Sequence, residues 1–199
     1  MKYPEAYFKS MRRVVGCIRM FYNAGFCTCS VYLLSTANLS RDRDDLIAVL
    51  EAETILLSEL LPSAIEDLRC RIIHAGRASL LPAPMRLSLE KLQEKTRHFS
   101  ERTLYILMAY DPVDELNAAF ELSKQGGEPL DIFSYFWVPE RVDVLIRTAG
   151  GPPLLSNFLP IQCGYAQIYM IESFFPDCTD DEFLKVIDKA KARKMLYGH

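Results

Sequence analysis

The chain has 199 residues, with 26 acidic and 23 basic side chains and a net charge of −3. That balance supplies no positive field for nucleic acid, and no apolar run reaches the roughly 20 residues that span a bilayer. Half the residues are apolar and a quarter charged, which fits one globular domain over 1–199. The first residues show no uninterrupted apolar core with a small-residue cleavage site, so no secretory signal is read. Six scattered cysteines without a C-x-x-C pair, beside only three histidines, argue against zinc and predict a reduced, cytoplasmic protein with buried thiols.

From Pro4 to Ala24, the apolar residues Phe8, Met11, Val15, Ile18 and Tyr22 recur every three or four positions, which predicts a helix capped by Gly25. The β-branched and aromatic run 27–35 predicts a strand in which Cys27 and Cys29 serve as packing residues. A long amphipathic helix is predicted over 44–61, stopping before Pro62, with Leu46, Leu50, Ile55 and Leu56 toward the core. A strand over 69–75 follows, with His74 a satisfied strand histidine, then a helix over 85–99 and a third strand over 102–110. That strand runs into a helix that Asp111 caps and Pro112 starts. A fourth strand is predicted over 142–148, a fifth over 163–171 and a final helix over 180–196. Strands separated by helices make this an α/β protein with a mostly parallel central sheet flanked by helices.

In such sheets ligands bind beyond the C-terminal strand ends. Two polar clusters fall there: Ser35-Thr36-Ala37-Asn38-Leu39-Ser40-Arg41, and Arg147-Thr148-Ala149-Gly150-Gly151-Pro152-Pro153-Leu154-Leu155-Ser156-Asn157. The prolines of the second lack the N–H donors a phosphate cradle needs, so Gly150–Pro153 reads as a rigid turn, while Arg147 at the strand end reads as an anion contact or a surface ion pair. Ser35 and Asn38 read equally well as loop closure, and Ser156-Asn157 as a turn.

The segments "DVLIRTAGG…LSNFLPIQCGYAQIYMIESFFPD", "VYLLSTANLSR" and "YDPVDEL" resemble, in order and spacing, the signature motifs of the cis-prenyltransferases, the undecaprenyl diphosphate synthase family. The resemblance covers essentially the whole chain. It implies condensation of isopentenyl diphosphate with an allylic diphosphate, Mg²⁺ held by two carboxylates, a hydrophobic tunnel and a dimer. It also implies that Arg147 and Ser156 contact diphosphate, that Ser35, Asn38 and Arg41 lie beside the reacting centre, and that Asn157 closes the loop. Ser35 and Asn38 are thus the candidate catalytic residues; Arg147, Ser156, Arg41 and Asn157 are the candidate diphosphate ligands.

The departures carry as much chemistry as the matches. The family's D-G-N-R-R-W loop has no counterpart in this sequence, and Tyr7 stands where the family has a histidine. Ala37 replaces a glutamate, Gln167 replaces the metal-binding glutamate, Leu33 replaces a small residue of the tunnel, and Gly151-Pro152-Pro153 replaces a segment with a second arginine. Hard cations prefer carboxylate oxygens over a neutral amide, and a lost arginine is a lost bidentate phosphate contact. The expectation is a non-catalytic or weakly catalytic subunit that has no metal ligand of its own and uses Mg²⁺ only if it is active or with a partner subunit. That partner is a homologous cis-prenyltransferase subunit in a hetero- or homodimer, working near a membrane surface without a transmembrane segment. The alternative is an enzyme of altered chemistry, a prenyltransferase or terpene cyclase on short prenyl diphosphates, with Asp111, Asp114 and Glu115 as metal ligands.

Overall fold

The computed structural model describes residues 3–125, 131–152 and 154–193. Helix α1 spans Tyr3–Asn23. Met11, Val14, Ile18 and Tyr22 form its buried stripe, one position off the expected Val15, with Phe8 and Val15 packed at its margin. Gly25 takes φ +93 and its N–H bonds back to Tyr22, the helix end that the sequence predicts. Strand β1 spans Thr28–Ser35. Cys27 lies outside it and is exposed, so it is not the packing residue expected; Cys29 does pack on the core.

Helix α2 spans Arg43–Ile55 and continues through a widened π turn, Leu56–Leu60, into α3, Leu61–Leu68. The expected stop before Pro62 does not occur. The wider turn comes just before Pro62, whose ring and missing N–H would break a plain α register. The buried face is also rotated from the expected stripe: Ala48, Val49, Ala52, Glu53 and Leu56 are buried, whereas Leu46, Leu50 and Ile55 are half-buried.

Strand β2 (Arg71–Ala75), helix α4 (Ala83–Thr96), strand β3 (Thr103–Tyr110) and helix α5 (Pro112–Gln125) follow. Strand β3 sits between β1 and β2, parallel to both, and Leu104 through Tyr110 are all buried. Each large apolar side chain so placed contributes roughly 1.5–3 kcal/mol. At the end of β2, Gly76 adopts φ +140, and a Cβ there would lie 2.1 Å from the Met108 carbonyl oxygen, so only glycine lets the two strands close up.

Strands β4 (Val144–Arg147) and β5 (Gln167–Met170) pair in parallel and are shorter than the runs expected from sequence. They form a separate two-stranded sheet: among the described residues, β1 and β2 are the edges of the three-stranded sheet and neither is hydrogen-bonded to β4 or β5. Helix α6 spans Asp180–Ala192 and starts from a capping box of Thr179 and Glu182. Residues 194–196 of the expected final helix lie outside the described residues. The α/β class with parallel strands and flanking helices is as the sequence predicts. Among the described residues, no helix is long and apolar enough to cross a membrane.

Candidate functional site

A cavity of about 950 Å³ opens between the two sheets. Residues 27–33 along β1 and 140–148 along β4 line it consecutively. Side chains on a strand alternate between faces, so an unbroken run of lining residues means that the strand edges themselves face the opening. Met11, Val14 and Ile18 of α1 and Val49 of α2 form its apolar wall. Tyr7 and Leu33, two of the departures noted in the sequence, also line it.

Arg147, at the end of β4, lies at this cavity and donates through Nη1 to the Leu154 carbonyl at 2.6 Å and to Ser156 Oγ at 2.7 Å. Both Nη1 hydrogens are thereby used. Among the described residues Nε–H and Nη2–H have no partner, and together they form the fork that donates to two oxygens of a phosphate or carboxylate. The loop around it is held in unusual backbone conformations. Ala149, Gly150, Gly151, Ser156, Asn157 and Leu159 all have positive φ, a region costing roughly 1–2 kcal/mol for a non-glycine residue. Arg147 is therefore both a clamp on that loop and a cation at the cavity.

Arg41 and Ser156 also border the cavity. Asn157, the fourth candidate diphosphate ligand, is exposed in the turn beside Ser156 and does not line the cavity. Ser35 and Asn38 bond reciprocally: the Ser35 amide donates to Asn38 Oδ1, and the Asn38 amide donates to Ser35 Oγ, both at 3.0 Å. Their side chains close the loop that presents Arg41, and neither borders the cavity.

The carboxylates after β3 are each engaged separately. Asp111 caps α5 by accepting from the Val113 amide at 2.8 Å. Asp114 pairs with Arg77 at 3.2 Å. Glu115 is buried, accepting from the Tyr110 hydroxyl at 2.6 Å, the Val138 amide at 2.9 Å and Gln162 Nε2 at 3.1 Å. Burial, together with that bond to Glu115, pushes the Tyr110 phenol far above its ordinary range. His74 Nε2 donates to the Met108 carbonyl oxygen at 2.9 Å, and burial pulls its pKa down, so it is a structural histidine. Burial pushes the thiols of Cys17 and Cys29 up to about 12, which leaves them inert.

The donor set does not suit Mg²⁺. Gln167 Oε1 accepts from the Tyr169 hydroxyl at 2.7 Å, and among the described residues no three His, Cys, Asp or Glu side chains converge as a cation site.

One residue escaped the sequence reading. Glu53 is buried to 1% exposure and lines the cavity, and its Oε2 has no hydrogen-bond partner among the described residues. It sits one turn after Val49, on the same face of α2, and that i, i+4 spacing was the signal available.

Parallel strands and flanking helices thus frame a cavity whose wall is largely apolar and whose border carries the Arg147 guanidinium. The sequence profile of the putative undecaprenyl diphosphate synthase family matches residues 2–198, and the chain belongs to that cis-prenyltransferase family. It is 31% identical over 181 residues to an isoprenyl transferase of Campylobacter jejuni, covering 85% of this chain and 77% of that protein. It is 29% identical over 188 residues to the geranylgeranyl-diphosphate-specific tritrans,polycis-undecaprenyl-diphosphate synthase of Thermococcus kodakarensis, covering 86% of this chain and 69% of that one. The crystal structure of a probable undecaprenyl diphosphate synthase from Campylobacter jejuni superposes with a TM-score of 0.83 at 26% identity, over 98% of this chain and 93% of the other. Lavandulyl diphosphate synthase from Lavandula x intermedia shares the fold at TM-score 0.81 and 17% identity, over 94% of this chain and 87% of the other.

Proposed function

We propose that this chain binds a prenyl diphosphate, with Arg147, Ser156 and Arg41 at the diphosphate and the apolar cavity around the hydrocarbon. We propose further that it is a weakly catalytic or non-catalytic subunit, paired with a homologous prenyl diphosphate synthase. The observation that carries the second half is the donor set: a neutral Gln167 engaged by Tyr169, and no second arginine in the Gly150–Leu155 segment. Ionising an allylic C–O bond leaves a diphosphate carrying about three negative charges, which a synthase stabilises with a divalent cation and several preorganised donors. Removing one such group costs about 10²–10³ in rate. In the complex, Mg²⁺ would come with the partner's carboxylates, while this chain's residues bind and orient the prenyl substrate.

Purified alone with Mg²⁺, isopentenyl diphosphate and an allylic diphosphate, the chain is expected to form almost no condensation product, and to copurify with a co-expressed homologous synthase. Turnover by the isolated chain at an ordinary enzyme rate, about 1–10³ s⁻¹, would overturn this. Replacing Arg147 by alanine is expected to weaken binding of geranyl thiolodiphosphate by about 10- to 100-fold, the worth of a charge-assisted bidentate contact. Equal affinity of the two forms in a calorimetric titration would remove Arg147 from the site.

A further inference from the structure

Building on that use of the cavity, we propose that Glu53 is its specificity-determining residue, selecting a ligand whose apolar body carries a hydroxyl group over one of unbroken hydrocarbon. Glu53 lies on the buried face of α2 at 1% exposure, one turn from Val49, and lines the cavity together with Met11, Val14 and Ile18 of α1. Among the described residues, no protein group reaches its Oε2 and no ion pair involves it. Arg41 acts on it only through its field.

A buried polar oxygen without a partner is costly, and water, a protein group or a ligand atom can relieve it. Water fits while the cavity is empty, since the space is far larger than one molecule needs. A hydrocarbon chain would expel that water and offer no hydrogen bond, so the cost returns on binding. A hydroxyl at the same depth removes it. Burial pushes the carboxyl up to about 8, with Arg41 pulling the other way. At neutral pH the group is therefore mostly a neutral acid, which both donates and accepts and so pairs with a hydroxyl in either orientation. Sites that hydrogen-bond a ligand group discriminate strongly against analogues without it, because the site's own polar atom is left unpaired.

The test compares matched ligands on the full chain and on the variants Glu53→Gln, Glu53→Leu and Glu53→Met, the last two placing an apolar side chain in an apolar wall. One ligand set is geranyl and farnesyl thiolodiphosphate with their ω-hydroxy derivatives; the other is the corresponding alcohols and diols, which lack diphosphate. The unsubstituted chain is expected to bind the ω-hydroxylated member of a pair about 10- to 100-fold more tightly. Glu53→Gln should keep part of that preference, and Glu53→Leu and Glu53→Met should abolish or invert it. A preference unchanged in the two apolar variants overturns the proposal, as does no preference in the unsubstituted chain or no binding of any ligand. A Glu53-dependent preference among the alcohols, with diphosphate adding no affinity, would instead uphold the role of Glu53 and overturn the diphosphate site.

Discussion

Replacing Glu53 by glutamine or leucine is expected to stabilise the protein, and by much more at pH 8 than at pH 5. Burial holds the folded-state carboxyl near pH 8 against an ordinary value of 4.5. Between those values the native state keeps a proton that the unfolded chain has released, so stability falls as pH rises through the window. Below pH 4.5 the contribution is level; above 8 the full cost is present. The span corresponds to no more than about 5 kcal/mol, reduced to the extent that water enters the cavity. Other groups titrate in the same range. His74, whose pKa is lowered by burial, works in the opposite direction below its ordinary value. The informative quantity is therefore the difference between the unsubstituted chain and Glu53→Gln, measured by urea unfolding at each pH. A difference that does not grow from pH 5 to pH 8 would show that the carboxyl is well solvated.

The second large effect is expected at Glu115. Its carboxylate accepts from the Tyr110 hydroxyl, the Val138 amide and the Gln162 side chain, all buried, and so ties α5 and the segment before β4 to the end of β3. Glu115→Ala leaves those donors unpaired inside the protein, and an orphaned buried group costs roughly 1–3 kcal/mol. Allowing for relaxation, a loss of about 4 kcal/mol is expected, a large share of the stability of a domain this size. Adding Tyr110→Phe removes one orphan and should restore part of the loss. If Glu115→Ala costs less than about 1 kcal/mol in urea unfolding, the network is not holding these elements together.

Much of this architecture was legible because its signals are local and repeat along the chain. The α1 periodicity, the Gly25 stop, the apolar run of β3 and the Asp111-Pro112 helix start each need only their neighbours to be read. The continuation of the helix through Pro62 was not legible, because a π turn has no periodic signature of its own and propensity argues for a break there. The separation of β4 and β5 from the other strands was also hidden: sequence gives strand existence, whereas ladder partners are set by tertiary packing. In the site, Arg147 and Ser156 were readable from the motif, and the structure brings them into direct contact. Ser35 and Asn38 were read with two alternatives, and the structure shows the loop-closing bonds of one of them. Asp111, Asp114 and Glu115 are near in sequence, yet each faces a different partner, which spacing alone does not disclose. Glu53 was missed because a glutamate in "LEAETI" reads as a solvated face; only the depth of α2 against α1 makes it internal.

Helix α1 packs on both sides of the opening. Met11, Val14 and Ile18 belong to the large core around β1 and β3, while Cys17 belongs to the smaller cluster with Ile171, Cys178 and Phe183 near β4 and β5. Mechanically, α1 is a splint laid across a seam. The width of the seam, and with it the girth of any guest, is set by how that splint seats, so substitutions on its outer turns can retune the interior without touching it.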